Sequence, residues 1–556
     1  MEYNWSKYQR DIFDFVEHGV GNCVVEACAG SGKSTTMIKC IDLIPKGHTV
    51  LLTAFNKDIV DALSSKLERK DNVRTMTIHS IGLKMLINNL KDSKLKLDEF
   101  KYRTYINSNI SDISETYNNY NQRNKDKYIK NINKFVDFGR LYLCQTVKDL
   151  SMIENRYGIQ VLSDEKDIAV DVMKWGKNNT DIIDYTDMIW LPNVLYLQPW
   201  GFRFDWVMVD ECQDLNRAQR ELILKCNKIN TRILAFGDEK QCIYSFSGSD
   251  PESFNELRKM PNTITLPLSI TYRCADKIVE LARTITDVIE PNDFGNKGII
   301  LYDTKLEDIE NGDMVLCRNN SPLVQAYSYL VNSGKKCFIR GRDFGIELIS
   351  IIKSTKCDYI NKDLSSDGVI PRLYADLIES INTLKEKSNI TDDEALDSEY
   401  ILNKVDIIKI IEILSTDLNS AEELINKIDS IFSDKWTDGI MLSTIHKAKG
   451  LESKNVHILC RSLMPSKNAT EEWEKEQEMN LMYVAYTRAI NKLCFVKENG
   501  FQNIFNTEKI SPLKIRTIEQ IINKIIINEN NTNDNNTVQT TVKTLVKPKV
   551  NIKILK

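Results

Sequence analysis

The chain has 556 residues, with 74 Lys and Arg against 78 Asp and Glu and a net charge of −4. Such balance excludes a globally basic nucleic-acid binder, so a nucleic-acid partner would have to meet a local feature. No segment approaches the ~18 apolar residues of a membrane span, no Cys-x-x-Cys occurs among the 13 cysteines, and the N-terminus lacks a charged-then-apolar leader pattern, which sets aside membrane, zinc, iron–sulfur and secreted classes.

The expectation is a reducing intracellular compartment: cytoplasm, or nucleoid or nucleus depending on the host. The length suggests about three or four domains.

Residues 22–26 (Asn-Cys-Val-Val-Glu) read as a short buried strand, and Met37, Ile38, Ile41 and Ile44 recur at helical spacing. Between them stands Ala27-Cys-Ala29-Gly30-Ser31-Gly32-Lys33-Ser34, followed by Thr35. A strand, a Gly-rich turn and a helix form the context of a phosphate-binding loop. Ala27 occupies the position of the general pattern's first Gly. Gly30 and Gly32 allow the tight turn, Lys33 would reach the β- and γ-phosphates of ATP, and Ser34 would ligate Mg²⁺.

Residues 87–180 are polar and rich in Asn and Tyr, with Tyr102, Tyr105, Tyr117, Tyr120 and Tyr128 among Lys and Arg. They predict either a helical subdomain that guides a strand or a solvated helical insertion. Asp184-Tyr185-Thr-Asp187 reads as a helix start, with Thr or Asp as cap. Trp206–Val209 reads as a buried strand ending in Asp210-Glu211. Two carboxylates at a strand tip suit a metal-linked acid and a water-activating base, here Asp210 for Mg²⁺ and Glu211 for water. Arg232–Phe236 is a third strand, leading through Gly237-Asp238 to Gln241, which can sense γ-phosphate. Cys28, Cys212 and Cys274 read as small packing residues.

Met314–Cys317 and the run from Lys336 to Gly341 read as further strands, each passing into a loop. The run Ile407–Leu414 and that from Ala421 to Phe432 have helical periodicity. Beyond 500, Ile515–Asn528 reads as an amphipathic helix and Asn530–Asn536 as low-complexity linker. The end, Val542–Lys556, alternates apolar and basic residues; it is either an inert tail or a segment that adds a strand to a replication or repair protein.

With these pieces the chain resembles a superfamily 1 DNA helicase of the UvrD/Rep/PcrA type over roughly residues 5–500. The resemblance is carried by Gln9; Leu51-Leu-Thr-Ala-Phe55-Asn56-Lys57; Thr75-Met-Thr77-Ile-His79-Ser80; Asp210-Glu-Cys-Gln-Asp214; Gly237-Asp-Glu-Lys-Gln241-Cys-Ile-Tyr244-Ser-Phe246; Thr271-Tyr272-Arg273; Met441 to Glu452; and Tyr483 to Ala489. Phe55-Asn56-Lys57 and Asn480-Leu-Met-Tyr483 are closer to the F-box DNA helicase branch, and Ser247 stands where the family usually has Arg.

The resemblance implies an α/β chain with two RecA-like parallel-sheet motor domains, each with a mainly helical insertion. The first would be 1–86 and 181–275 with insertion 87–180. The second would be 276–349 and 435–500 with a short insertion 350–434, before a C-terminal helix and basic tail (501–556). Gln9 and Tyr272 would hold adenine, Glu452 the ribose, and Arg273 and Arg488 the γ-phosphate. Phe55, Tyr185, Tyr244 and Phe246 would stack on single-stranded DNA, with Asn56, Thr77, His79, Thr444 and His446 as further strand contacts.

The implied activity is ATP-dependent 3′ to 5′ translocation on single-stranded DNA and unwinding of 3′-tailed duplex in replication, repair or recombination. Two alternatives stay open: a translocase that strips proteins from single strands, which the short second insertion favours, and a nucleotide-switched recruitment module. Intact Lys33, Glu211 and Arg488 weigh against the switch.

Overall fold

A computed structural model describes residues 4–54, 71–90, 95–120, 122–159, 161, 163–250, 252–293, 295–364, 366–388, 396, 399–435, 438–467 and 469–498. Phe55, Asn56 and the tail from 501 lie outside the described residues. The chain divides into two compact units, one of residues 1–301, 448–455 and 462–493 and one of 302–447, 456–461 and 494–556.

The strands of the first unit, in chain order, are β1 (Asn22–Ala27), β2 (Val50–Ala54), β3 (Val73–Thr77), β4 (Lys96–Leu97), β5 (Ile182–Ile183), β6 (Phe204–Val209), β7 (Asn227–Gly237) and β8 (Thr263–Leu268). Six of them form one parallel sheet in the order β3-β2-β6-β7-β1-β8, while β4 and β5 make a small pair. Both faces of the large sheet are covered, which is why its strands read as continuous apolar runs. Cys23, Val25, Leu52 and Met208 pack on one face with helices Lys7–His18 and Lys33–Leu43. Val24, Leu51, Val207 and Ile233 alternate to the other, against helices Ile78–Leu90, Tyr185–Val194 and Arg217–Lys225. The carboxyl ends of the strands therefore share one edge, where parallel α/β sheets place their ligands. Cys28, Cys212 and Cys274 are buried, as packing residues should be.

Between β4 and β5 the helices Lys101–Ile113, Gln122–Leu141, Val147–Arg156 and Glu165–Asn178 build a second core, shared with Leu86, Met188, Trp190 and Leu191 of the helices beneath. Here the reading of a solvated insertion is corrected: Tyr102 and Tyr128 are buried within that core, and Tyr105 stacks on Trp175 with ring centroids 3.7 Å apart. The phenolic rings supply apolar area, and their hydroxyls find partners such as Asp187 and Asp164.

The remaining strands are β9 (Ile299–Thr304), β10 (Met314–Cys317), β11 (Cys337–Ile339), β12 (Ile440–Thr444), β13 (Ser453–Ile458) and β14 (Ala489–Val496), in the sheet order β11-β12-β10-β13-β14-β9. β10 pairs in parallel with β12 and β13, and β11 with β12. The expected helical runs lie in Glu399–Leu414 and Ala421–Ile431, the latter started by a reciprocal Ser420–Glu423 cap. The α/β class, the two sheets and the helical insertions agree with the expected fold class. Among the described residues no helix is long and apolar enough to cross a membrane.

Candidate nucleotide site

The loop after β1 turns on Gly30 and Gly32, at φ 72° and 80°, a region costly for residues with a Cβ. Gly30 is also pressed from outside: a Cβ there would come 2.4 Å from Arg273 Cβ, and Tyr272 N–H donates to Gly30 O at 2.8 Å. Gly32 caps helix Lys33–Leu43 without a side chain, leaving that helix's first amides for an external acceptor. Ala29 and Ser31 are buried, whereas Ser34 and Thr35 are half-buried on the first turn.

Opposite, β6 ends and the chain enters Asp210 and Glu211. Glu211 adopts φ 52°, ψ 42°, an uncommon left-handed conformation for a residue with a long side chain. Its Oε1 accepts from Lys33 Nζ at 2.8 Å and its Oε2 from Gln213 Nε2 at 2.6 Å. Gln213 Oε1 in turn accepts the Asp238 N–H at 3.0 Å, tying the tip of β6 to that of β7.

Burial disfavours the Lys33 ammonium, but Glu211, Asp210 and Asp238 outweigh it and raise its pKa. Burial likewise opposes ionised Glu211, yet Lys33 and Lys449 hold its pKa low. Asp210 moves the other way, raised by burial and by the charge of Glu211. Asp238 is pushed up to about 6, chiefly by burial.

Gln241 links the carboxylates to the arginines. Its Nε2 donates to Asp238 Oδ2 at 2.6 Å, and its Oε1 accepts from Arg488 Nη2 at 3.3 Å. Arg488 is buried and also donates to Val484 O and Leu451 O, both at 3.0 Å. Burial and the positive charge of Arg273 depress its pKa below the usual arginine range. Arg273 Nε donates to Glu452 at 2.5 Å and its Nη1 to Thr487 O at 3.2 Å. Gln9 has structural partners: Oε1 accepts Ser6 N–H at 3.0 Å in a helix cap, and Nε2 donates to Thr36 at 3.0 Å. The Tyr272 hydroxyl reaches Gln9 Oε1 at 3.4 Å, with the ring 46% exposed. All the sequence-predicted nucleotide residues therefore belong to one unit.

Four members of this constellation went unassigned in the sequence reading. Tyr483 OH accepts Ala29 N–H at 3.1 Å and donates to Asp238 at 3.3 Å. Lys449 Nζ bridges Asp214, at 2.5 Å, and Gln241 O, at 2.6 Å. Gln213 and Asp238 complete the chain of contacts. Their only signal in the sequence was membership of the motifs that hold Asp210, Gln241, Glu452 and Arg488.

The expected strand contacts are more dispersed. Thr77 ends β3 and accepts from Ser80 N at 3.2 Å; His79 follows it, its pKa lowered by burial. Tyr185 opens helix Tyr185–Val194 with 55% of its surface exposed. Tyr244 lies beneath Lys449 at 5.1 Å, Phe246 falls in the turn Ser245–Ser247, and the Ser247 hydroxyl donates to Tyr244 O at 2.9 Å. In the second unit Thr444 ends β12 and accepts Lys447 N–H at 3.4 Å, while burial and Arg318 push His446 down to about 4.

A family model for the UvrD/REP helicase N-terminal domain matches residues 8–262, and one for the UvrD-like helicase C-terminal domain matches residues 368–500. ATP-dependent DNA helicase Rep of Buchnera aphidicola subsp. Schizaphis graminum is 26% identical over 293 residues, which is 48% of this chain and 42% of that protein. F-box DNA helicase protein 1 of Schizosaccharomyces pombe is 23% identical over 523 residues, 84% of this chain and 55% of that one. Rep of Escherichia coli is 22% identical over 298 residues, covering 49% and 42% of the two chains. The match thus spans less than half the length of these Rep relatives. On the two family models, which together match residues 8–262 and 368–500, the chain belongs to the UvrD/Rep helicase family.

Proposed function

We propose that this chain hydrolyses ATP to move 3′ to 5′ along single-stranded DNA and to separate 3′-tailed duplex. The observation that carries this reading is the ion pair of Lys33, on the phosphate loop, with Glu211, at the tip of β6. It lies in the same unit as Gln241, Arg273 and Arg488. The names of the relatives, ATP-dependent DNA helicase Rep and F-box DNA helicase protein 1, support it.

In this reading Lys33 changes partner. An incoming triphosphate competes with Glu211 for the ammonium, and moving Lys33 to the phosphates frees Glu211 Oε1 to take a proton from the attacking water. Gln213 holds the other carboxylate oxygen meanwhile. Gln241 orients Arg488 toward the phosphoryl group, and with Arg273 it neutralises the charge that develops there.

Mg²⁺ fits the donors. Burial raises the carboxyl pKa of Asp210, Asp214 and Asp238, leaving the site short of positive charge. The Ser34 hydroxyl and Asp210 carboxylate, hard oxygen donors, would hold the ion. Once bound, it supplies charge neutralisation at the β- and γ-oxygens.

For the strand, Phe55, Tyr185, Tyr244 and Phe246 would stack on bases, and Asn56, Thr77, His79, Thr444 and His446 would touch the backbone. The test is ATP hydrolysis with and without single-stranded DNA, wild type beside Glu211→Gln, followed by duplexes with a 3′ or a 5′ tail. Stimulation lost in the variant and unwinding from the 3′ tail alone are expected. Stimulation by RNA only, or by no nucleic acid, overturns the reading. Displacement of a blocking protein without duplex separation favours the stripping translocase, which the short second insertion makes the leading alternative.

A further inference from the structure

We infer that Arg140, assisted by Lys101, is a positioning residue for the single strand: a buried ion network fixes the helix that presents Tyr185. The inference rests on the proposed role of Tyr185 as a strand contact.

Asp184 and Asp187 cap helix Tyr185–Val194 reciprocally, Asp187 N–H donating to Asp184 at 2.7 Å and Asp184 N–H to Asp187 at 3.3 Å. A neutral Ser or Thr would serve as cap, and a capping carboxylate ordinarily stays in water. Here both carboxylates are buried, at 7% and 0% exposure. Their compensating cations come from the inserted helices. Arg140 Nη1 reaches both oxygens of Asp184 at 2.9 and 2.7 Å and Asp187 at 3.2 Å. Lys101 Nζ and Tyr102 OH each reach Asp187 at 2.7 Å. The Arg140 guanidinium lies 3.8 Å from the Tyr102 ring centroid, and Lys101 also donates to Gly176 O at 3.3 Å.

Two inserted helices thus converge on one helix turn, and a third steadies Lys101 through Gly176 O. Burying two carboxylates with two cations adds little net stability compared with apolar packing, because desolvation offsets the attraction. What the arrangement does supply is a single orientation, since all three guanidinium nitrogens are engaged: Nη1 by Asp184 and Asp187, Nε by Val136 O and Nη2 by Asp137. Tyr185 and Thr186 lie between the two carboxylates, and Tyr185 is held there by its neighbours' caps while 55% of its surface stays exposed. On its other side the same helix is keyed to helix Ile78–Leu90: a Cβ on Gly82 would come 1.8 Å from Met188 O. The inserted helices therefore act on Tyr185 through Asp184 and Asp187 and bear on the helix that begins with Ile78-His79.

The test uses the full chain with Arg140→Met and Arg140→Lys, each also combined with Tyr185→Ala. The readouts are the concentration of oligo(dT) giving half-maximal ATPase stimulation, the DNA-free rate, the KM for ATP and the melting temperature. Arg140→Met should raise the half-saturating concentration about fivefold or more, leaving DNA-free hydrolysis and KM for ATP unchanged. Arg140→Lys should recover part of the loss, keeping the charge without the fork. In the Tyr185→Ala background Arg140→Met should add nothing further. Additive losses, or a lower melting temperature with unchanged half-saturation, overturn the inference. A wild type that single strands do not stimulate overturns the functional reading itself. Should Arg140→Met not fold, Asp187→Asn, which keeps size and a hydrogen-bonding group, must show the same non-additivity with Tyr185→Ala.

Discussion

Glu211 receives the Lys33 ammonium at 2.8 Å from a backbone held in the left-handed region at φ 52°. Such a conformation costs on the order of 1 kcal/mol and persists only where surrounding contacts enforce it. The enforcing contacts are those of the two side-chain oxygens, one to Lys33 and one to Gln213. The strain turns the carboxylate toward the phosphate loop.

Breaking this pair from either side should give unequal results. Lys33→Ala strands a buried carboxylate and should lower stability by on the order of 3 kcal/mol as well as abolishing hydrolysis. Glu211→Gln keeps a hydrogen-bonding side chain, so hydrolysis should vanish with little change in melting. Calorimetry of the two variants beside ATPase assays checks both; equal melting losses would contradict the proposed asymmetry.

Arg488 makes four directed hydrogen bonds from one guanidinium, to Val484 O, Leu451 O, Gln241 and the Thr487 hydroxyl. Arg488→Ala should spare ATP binding and slow hydrolysis by on the order of 10³ or more. Arg488→Lys should rescue poorly, since an ammonium cannot reproduce the fork. Single-turnover rates with ATP affinity measured in parallel decide this, and a lysine variant close to wild type would count against the role.

The Tyr483 hydroxyl joins the phosphate loop to Asp238 through Ala29 N–H. Tyr483→Phe leaves that buried amide without its acceptor, a loss of about 1–2 kcal/mol. The KM for ATP should rise roughly 5- to 30-fold, by the same free energy, with a smaller change in kcat. A normal KM would show that the hydroxyl serves folding alone.

His446 lends the second unit a dependence on pH. Burial and the positive charge of Arg318 lower its folded pKa to about 4, against about 6.5 unfolded. The folded state thus resists a proton that the unfolded chain accepts. Its contribution is complete above about pH 6.5 and is lost as pH falls toward about 4, on the order of 3 kcal/mol in all. His446→Asn should flatten the melting profile across that window; an unchanged slope would assign the acid sensitivity to other groups.

Much of the candidate nucleotide site was legible because its residues are local in sequence. Gly30, Gly32, Lys33 and Ser34 are consecutive or nearly so, and strand–turn–helix periodicity brackets them. The Asp210-Glu211 pair follows an apolar run that can only be a buried strand, and parallel sheets place such tips on one edge. Residue order alone fixed those elements, and the family motifs linked Arg273 and Arg488 to them. The tertiary structure decided everything that depends on distance across the chain. Lys33 meets Glu211 over 178 positions, Tyr483 meets Ala29 over 454, and Lys449 meets Asp214 over 235. It also decided between the two readings left open for the tyrosine-rich segment by placing Tyr102 and Tyr128 in a core, because a phenol buries its ring and satisfies its hydroxyl at once. Periodicity records which face of an element is apolar; partners across the fold are set only when the sheets close.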